Sequence, residues 1–495
     1  MTRIRLEPLG RTLELAPGAA LKDALFAEGV EFPCGGRGKC RRCRVRVIAG
    51  EIDPSDAGLR LLGADEIAAG WRLACHARAT RDATIEIAQW EAPVLADDRE
   101  FEFTPREGFG IAVDVGTTTL AAQLADLSTG RVAAVSTALN PQAVHGADVM
   151  TRIEYAVRDG GGPELARLIR ERVGEMARQL TPAGACVESI TLAGNTVMHH
   201  LFCGIDVEPL AHVPFEPACD GMVQFDAREL GWDSAARVSF LPCLGGFVGS
   251  DVLAGVLAAG VERSDALVGL IDLGTNGEIL FGNRERMICA SAAAGPAFEG
   301  GRISSGMRAA TGAIAEVTVE NGSLHCGVIG GGEPRGICGS GLVDAAAAAL
   351  DLGAVETNGR LRGGALALAG AVALIQRDIR ELQLAKAAVA AGIRIVLERL
   401  GAAAGDVRKV YLAGAFGNYV NRASARRIGL FGFPEEKVEP AGNTSLLGAK
   451  MALFSGDLTF SALRGRIEHI GLASDPRFQE TFVDEMPFPG RPERP

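Results

Sequence analysis

The sequence predicts an α/β protein in two unequal parts: a small β-rich unit with clustered thiols, then a long unit built on a repeated strand–turn–strand. Three observations carry that prediction. Cys34, Cys40 and Cys43 stand in a C-x5-C-x2-C run, and Cys75 follows downstream. An apolar strand delivers Asp-x-Gly-Thr into a tight turn twice, at Asp114–Thr117 and Asp272–Thr275. A third apolar strand runs into the glycine-rich stretch Gly414-Ala415-Phe416-Gly417. The 495 residues exceed what one hydrophobic core organises.

Hydrophobic residues make up 47% and charged residues 22%, the balance of a globular chain. The net charge of −11 argues against a general nucleic-acid binder. Residues 1–90 carry 14 Lys/Arg against 12 Asp/Glu, so the acidity belongs to the remainder. No apolar run reaches the roughly 18 residues that span a bilayer. Met1-Thr2-Arg3-Ile4-Arg5 opens without the apolar core of a signal peptide. The expected location is the cytoplasm, without membrane association, where clustered cysteines act as metal ligands rather than disulfides.

Taken in order, Arg3–Leu15 reads as two short strands and Ala20–Glu28 as a helix; Arg44–Ile48 and Ala83–Ile87 read as further strands. Three thiolates close in sequence wrap one side of a cluster from a single loop, and the fourth, Cys75, closes the shell. Glycines at 35, 36 and 38 let that loop bend and aim N–H groups at sulfur. Zinc would use the same thiols but prefers paired C-x2-C knuckles, and the second pair is missing. This part resembles the β-grasp [2Fe–2S] ferredoxins, and its longer loop is similar to their adrenodoxin-like branch. The resemblance implies a [2Fe–2S] cluster on Cys34, Cys40, Cys43 and Cys75. Residues 1–88 form this domain, and 89–107, with two prolines and no apolar periodicity, read as a linker.

In the long part, each Asp-x-Gly-Thr turn presents N–H groups and hydroxyls to phosphate while its Asp holds metal-bound water. Two such turns imply a duplicated architecture gripping one nucleotide. With the late glycine turn they resemble the ASKHA superfamily of acetate and sugar kinases, heat-shock chaperone ATPases and actin. The resemblance makes Asp114, Gly116, Thr117 and Thr118 the first phosphate turn and Asp272, Gly274, Thr275 and Asn276 the second. Gly414, Ala415, Phe416 and Gly417 form the adenosine turn. Asp114 and Asp272 are the expected organisers of Mg²⁺ and phosphate, and Glu299 a candidate for polarising water. The domain is expected over 108–495, with one lobe at about 108–268 and the other at about 269–480.

A ferredoxin domain ahead of an ASKHA domain is similar to the reductive activators of corrinoid enzymes. Further segments carry that resemblance: Asn140-Pro141-Gln142, His145 to Ile153, Leu192 to Met198, Ala294 to Gly300 and Gly336 to Gly341. It implies an ATP-hydrolysing reductive activase that returns a Co(II) corrinoid to Co(I). Its expected partners are a corrinoid protein or cobalamin-dependent methyltransferase and an electron donor such as a ferredoxin, flavodoxin or reductase. ASKHA relatives are often dimers, so a homodimer is compatible. The loop Gly300–Gly306, with Ser304 and Ser305, is a candidate contact for the corrinoid protein, and His199-His200 reads as a satisfied buried pair. Unlike larger relatives, the linker here leads almost directly to the first turn. Two other readings remain open: an electron injector for another low-potential metalloenzyme, and a ferredoxin-linked small-molecule kinase.

Overall fold

The computed structural model describes residues 1–7, 11–28, 30, 36, 38, 43–87, 101–274, 276–455 and 457–490. The first part is a five-stranded sheet ordered Arg11–Leu15, Thr2–Glu7, Ala83–Glu86, Arg44–Gly50, Trp71–Leu73. The alternation expected of a half-buried strand is plain in Thr2–Glu7, where Ile4 and Leu6 are fully buried and their neighbours face out. The helix Leu21–Ala27 covers the buried face through Leu21 and Leu25. This is the β-grasp arrangement.

The long part holds two six-stranded sheets whose shared pattern makes the duplication explicit. In the first, Phe109–Val115, Thr119–Asp126 and Val132–Leu139 form an antiparallel meander; Val187–Ala193 and Arg237–Phe240 then extend it in parallel from the Phe109–Val115 side. In the second, Val268–Leu273, Gly277–Gly282 and Met287–Ala292 repeat the meander, with Lys409–Ala413 and Val438–Gly442 added in parallel. Strands buried on both faces need unbroken apolar runs, as Ile111–Val113 and Leu270–Ile271 supply. Helix Gly162–Leu180 packs Leu165, Ile169, Val173 and Met176 on the first sheet; helix Gln376–Leu400 packs Leu382, Val389 and Val396 in the core of the second.

A third core cluster joins the halves. Helices Ser250–Ala259 and Thr444–Phe454 pack together between the sheets, joining Ala112 and Ala121 of the first to Leu270 and Leu280 of the second. Their backbones touch closely enough that a Cβ on Gly448 would sit 2.0 Å from the carbonyl oxygen of Ala254. Of the expected linker, 89–100 lies outside the described residues, while 101–107 is fixed: Phe103 packs on Phe454 with ring centroids 4.6 Å apart. Among the described residues, no helix is long and apolar enough to cross a membrane.

The close helix approach gives a stability prediction. Gly448→Ala overpacks the contact and is expected to cost about 1–3 kcal/mol. Gly162→Ala, where a Cβ meets nothing within 4 Å, stays near neutral. Urea unfolding midpoints of the two variants check this; equal midpoints contradict it.

Candidate functional site: an acidic cleft beside a ferredoxin domain

Sheet register places the cleft residues. Asp114 ends its strand opposite Ala193, and Asp272 ends the equivalent strand opposite Ala413. A glycine follows each facing strand: Gly414 lies against Asp272, and Gly194 against Val115, the residue after Asp114. Gly414 has φ +79°, and a Cβ there would lie 2.3 Å from Asp272 Oδ1, so only glycine brings this turn against the acid. The first turn, Gly116 to Thr118, is held from behind. Asn140 donates its side-chain amide to the Gly116 carbonyl at 2.9 Å and its backbone N–H to the Thr118 carbonyl at 2.8 Å. The fully buried Arg152 donates to the Thr117 carbonyl, to Gly146 O at 2.9 Å and to Gln142 Oε1 at 3.1 Å. Burial pulls the Arg152 guanidinium down to about 9. Asn195 donates to the Thr117 hydroxyl at 2.9 Å.

Asp114 is gripped from the far end of the chain. Asn443 Nδ2 donates to one carboxylate oxygen at 2.8 Å and Ser445 Oγ to the other at 2.9 Å. Asp251, at the start of helix Ser250–Ala259, and Glu278, cross-strand partner of Asp272, complete a group of four carboxyls. All four are half-buried on the cleft floor. Burial raises the Asp114 carboxyl, opposed by its bonds to Asn443 and Ser445. Burial and then the Asp114 charge push Asp272 up to about 7. Burial, with Asp272 and Asp114 adding, brings Asp251 to about 7. Burial, then Asp251 and Asp272, holds Glu278 well above the ordinary range. Such a group calls for positive charge. Among the described residues, no three acidic, imidazole or thiol groups converge as ligands of one metal ion. Carboxyls spread along a cleft floor in this way could hold a hydrated divalent cation.

The remaining expected residues are distributed as follows. Gly274 and Asn276 shape the second turn through a 3.0 Å backbone bond, while Thr275 lies outside the described residues. Helix Gly414–Tyr419 carries Gly414 to Gly417, with the Phe416 ring stacked on buried Phe298 at 4.7 Å. Its far end borders a cavity of about 310 Å³ lined by Gly417, Asn418, Arg422, Glu435 and Pro440 among others. Glu299 closes the short turn Pro296–Glu299, half-buried beside Phe298. Ser304 and Ser305 turn their hydroxyls inward, to Asp378 and the Ala373 carbonyl. Of the buried histidines, His200 bonds to Thr196 O at 2.8 Å, but His199 Nε2 has no hydrogen-bond partner among the described residues. The pair is therefore only partly satisfied.

In the ferredoxin part, Cys43 immediately precedes strand Arg44–Gly50 and Cys75 follows strand Trp71–Leu73. The pairing of Arg44 with Leu73, and a 2.8 Å bond from Ala74 N to Cys43 O, bring the two cysteines to one end of the sheet. Cys34 and Cys40 lie outside the described residues. Gly36 and Gly38 have φ of +75° and +62°, and a Cβ on Gly38 would collide with His76 and Ala57, as a tightly folded ligand loop requires. Cys43 and Cys75, brought to one end of the sheet, fit as two thiolate ligands of one cluster.

Two acidic turns on duplicated sheets and a β-grasp unit define an ASKHA domain fused to a ferredoxin domain. Residues 266–494 match the C-terminal ASKHA domain of RACo, 109–264 the RACo middle region, and 4–80 the 2Fe-2S iron-sulfur cluster binding domain. The corrinoid activation enzyme RamQ of Eubacterium limosum is 34% identical over 444 residues, covering 80% of this chain and 74% of that one. The [Co(II) methylated amine-specific corrinoid protein] reductase of Methanosarcina barkeri is 29% identical, covering 77% of each. The solved reductive activator for corrinoid, iron-sulfur protein superposes with a TM-score of 0.68 at 26% identity over 99% of both chains. The chain belongs to the RACo family of reductive activators of corrinoid proteins.

Sequence reasoning missed Asp251, Glu278, Asn443 and Ser445, and gave Asn195 no role in the first turn. For Asn195 a signal was available: Leu192-Ala193-Gly194 and Leu412-Ala413-Gly414 are the same tripeptide, each beside one acidic turn. The repeat puts Asn195, one residue past the first tripeptide, at the cleft, where it reaches Thr117.

The raised carboxyls give a signed pH prediction. An acid whose folded-state pKa exceeds its unfolded value near 4 contributes stability at low pH that is lost as pH rises toward the folded value. For Asp272 and Asp251 that window runs from about 4 to about 7. Asp272→Asn, assayed without added nucleotide, should raise the melting temperature by a few degrees at about pH 8 and leave it nearly unchanged at about pH 4, at the foot of that window. An equal melting temperature at the higher pH contradicts the assignment.

Proposed function

We propose that the chain uses ATP to drive one electron from a [2Fe–2S] cluster onto the Co(II) corrinoid of a partner protein, regenerating Co(I). The observation that carries this reading is the union, in one chain of the RACo family, of a ferredoxin domain and a cleft lined by four electrostatically coupled carboxyls. The names of the relatives from Eubacterium limosum and Methanosarcina barkeri, corrinoid activation enzyme and corrinoid protein reductase, support the substrate class.

Cys34, Cys40, Cys43 and Cys75 would hold the cluster, which when bound would supply one electron at low potential, near roughly −400 mV in the plant type. The reduction is uphill: for one electron about 59 mV equals about 1.4 kcal/mol, so a few hundred mV need several kcal/mol. In this reading, N–H groups of Gly116–Thr118 and Gly274–Asn276 hold the phosphates from opposite lobes. Asn140, Arg152 and Asn195 fix the first turn, and their bonds to its carbonyls and hydroxyl leave its N–H groups for the ligand. Asp114 and Asp272 orient a hydrated Mg²⁺, and Asn443 and Ser445 keep Asp114 in place. Helix Gly414–Tyr419 starts against Asp272, and its Gly417 borders the cavity three residues, or about 4.5 Å, further along the axis. The adenine then sits in that cavity. Energy transfer follows if the nucleotide binds two arrangements of the lobes with different affinity. An external ferredoxin, flavodoxin or reductase would serve as the electron donor.

The test follows Co(I) formation by visible absorption on a corrinoid protein. Unmodified protein should require Mg-ATP, Cys75→Ser should abolish the reaction, and Asp272→Asn should lose the ATP-driven formation of Co(I). Asn443→Ala, which leaves the Asp itself intact, should slow it about 10–100-fold, as removal of a ligand's supporting partner does. A rate indifferent to ATP across several corrinoid proteins overturns the proposal.

A further inference from the structure

The first phosphate turn and the ferredoxin domain share one short segment. Leu139, Ala143 and Val144 pack their side chains against the ferredoxin core. Lys22, on the helix that covers the ferredoxin sheet, donates to the Val144 carbonyl at 3.1 Å. Lys22 also lies against Gly36: a Cβ there would be 2.9 Å from its Nζ, so the docked face of the domain is the one carrying the cysteine loop. Within the same segment, Asn140 holds the Gly116 and Thr118 carbonyls. Gln142 N–H donates to Asn140 Oδ1 at 3.0 Å, and Gln142 Oε1 receives the Arg152 guanidinium that also holds Thr117. The ferredoxin domain has a second anchor on the other lobe. Glu86, on strand Ala83–Glu86, forms an ion pair with Arg335, which precedes the short strand Gly336–Ile337.

We propose that Leu139–Val144 together with Arg335 forms a docking platform for the chain's own ferredoxin domain, and that docking is linked to nucleotide binding in the cleft. The physical reason is that the two anchors belong to different lobes. A ligand gripped between the lobes sets their separation, and that separation decides whether Val144 and Arg335 can be engaged together. Asn140 adds a direct route, because the residue that holds the phosphate turn stands between Leu139 and Ala143. Linkage is reciprocal: if nucleotide shifts docking, docking shifts nucleotide affinity by the same factor. The platform covers the face beside the cysteine loop, so release of the domain exposes that face to an external partner. This inference rests on the nucleotide reading of the cleft.

The test uses the full-length, cluster-loaded chain. Hydrogen exchange at residues 139–144 reports docking, and calorimetry gives the dissociation constant for Mg-ADP. Glu86→Arg and Arg335→Glu should each speed exchange there and shift that constant at least about fivefold, in the same direction. The double exchange, E86R with R335E, should restore both, and an unchanged cluster resonance signal shows that the ferredoxin fold is intact. Faster exchange with an affinity unchanged within about twofold overturns the linkage, since coupling energies below that range carry no control. Exchange that neither single variant alters overturns the platform. Failure of the unmodified chain to bind Mg-ADP instead defeats the nucleotide reading, and the linkage with it.

Discussion

The cleft depends on a carboxylate of the first lobe being held by the second half of the chain. Asn443 and Ser445 reach Asp114 across more than three hundred residues of sequence, each on its own oxygen. They do so because helix Thr444–Phe454 is wedged between the two sheets, its Gly448 seated on the Ala254 backbone. Helix packing and acid placement are therefore one constraint. The same contact that joins the lobes also fixes the direction of Asp114 and ties the start of helix Ser250–Ala259, with Asp251, to the cleft floor.

That constraint brings like charges together. Burial raises the carboxyls of Asp114, Asp251, Asp272 and Glu278, and at the last three a neighbouring acid adds to it, an arrangement that lowers stability unless protons or cations neutralise it. Under the proposed function, this stored strain is what a cation–phosphate ligand would relieve on binding. The first turn, by contrast, is fully braced: each of its three carbonyls has a donor, from Asn140 or Arg152. In the proposed mechanism, a rigid first turn opposite a strained acidic floor would let binding energy appear as lobe movement rather than as local adjustment.

Much of this was legible because it is local. The two acidic turns are hairpin tips, where an Asp, a Gly and hydroxyls must be adjacent in sequence, and Gly116 and Gly414 mark places where backbone or carboxylate comes too close for a Cβ. The ferredoxin strands alternate, and Cys43 and Cys75 flank strands that pair. What sequence did not show is what tertiary packing assembles. Asn443 and Ser445 look like an ordinary helix cap, and Asp251 like a first-turn acid, until the helix pair brings them to the cleft. Glu278 sits inside the second motif, yet only its pairing with Asp272 gives it meaning. Residues 101–107 lack apolar periodicity because they bury isolated rings, Phe101 and Phe103, against Phe454 rather than one face of an element.

The central claim is that nucleotide in the cleft drives an electron from the ferredoxin domain to cobalt. A single-turnover experiment tests it most directly. The cluster is reduced, the donor removed, and the protein mixed with a Co(II) corrinoid protein while electron paramagnetic resonance follows both paramagnets. Before Mg-ATP is added, both signals should persist; afterwards they should disappear one for one. Loss of the cobalt signal without nucleotide, or consumption of ATP with both signals intact, would contradict the account.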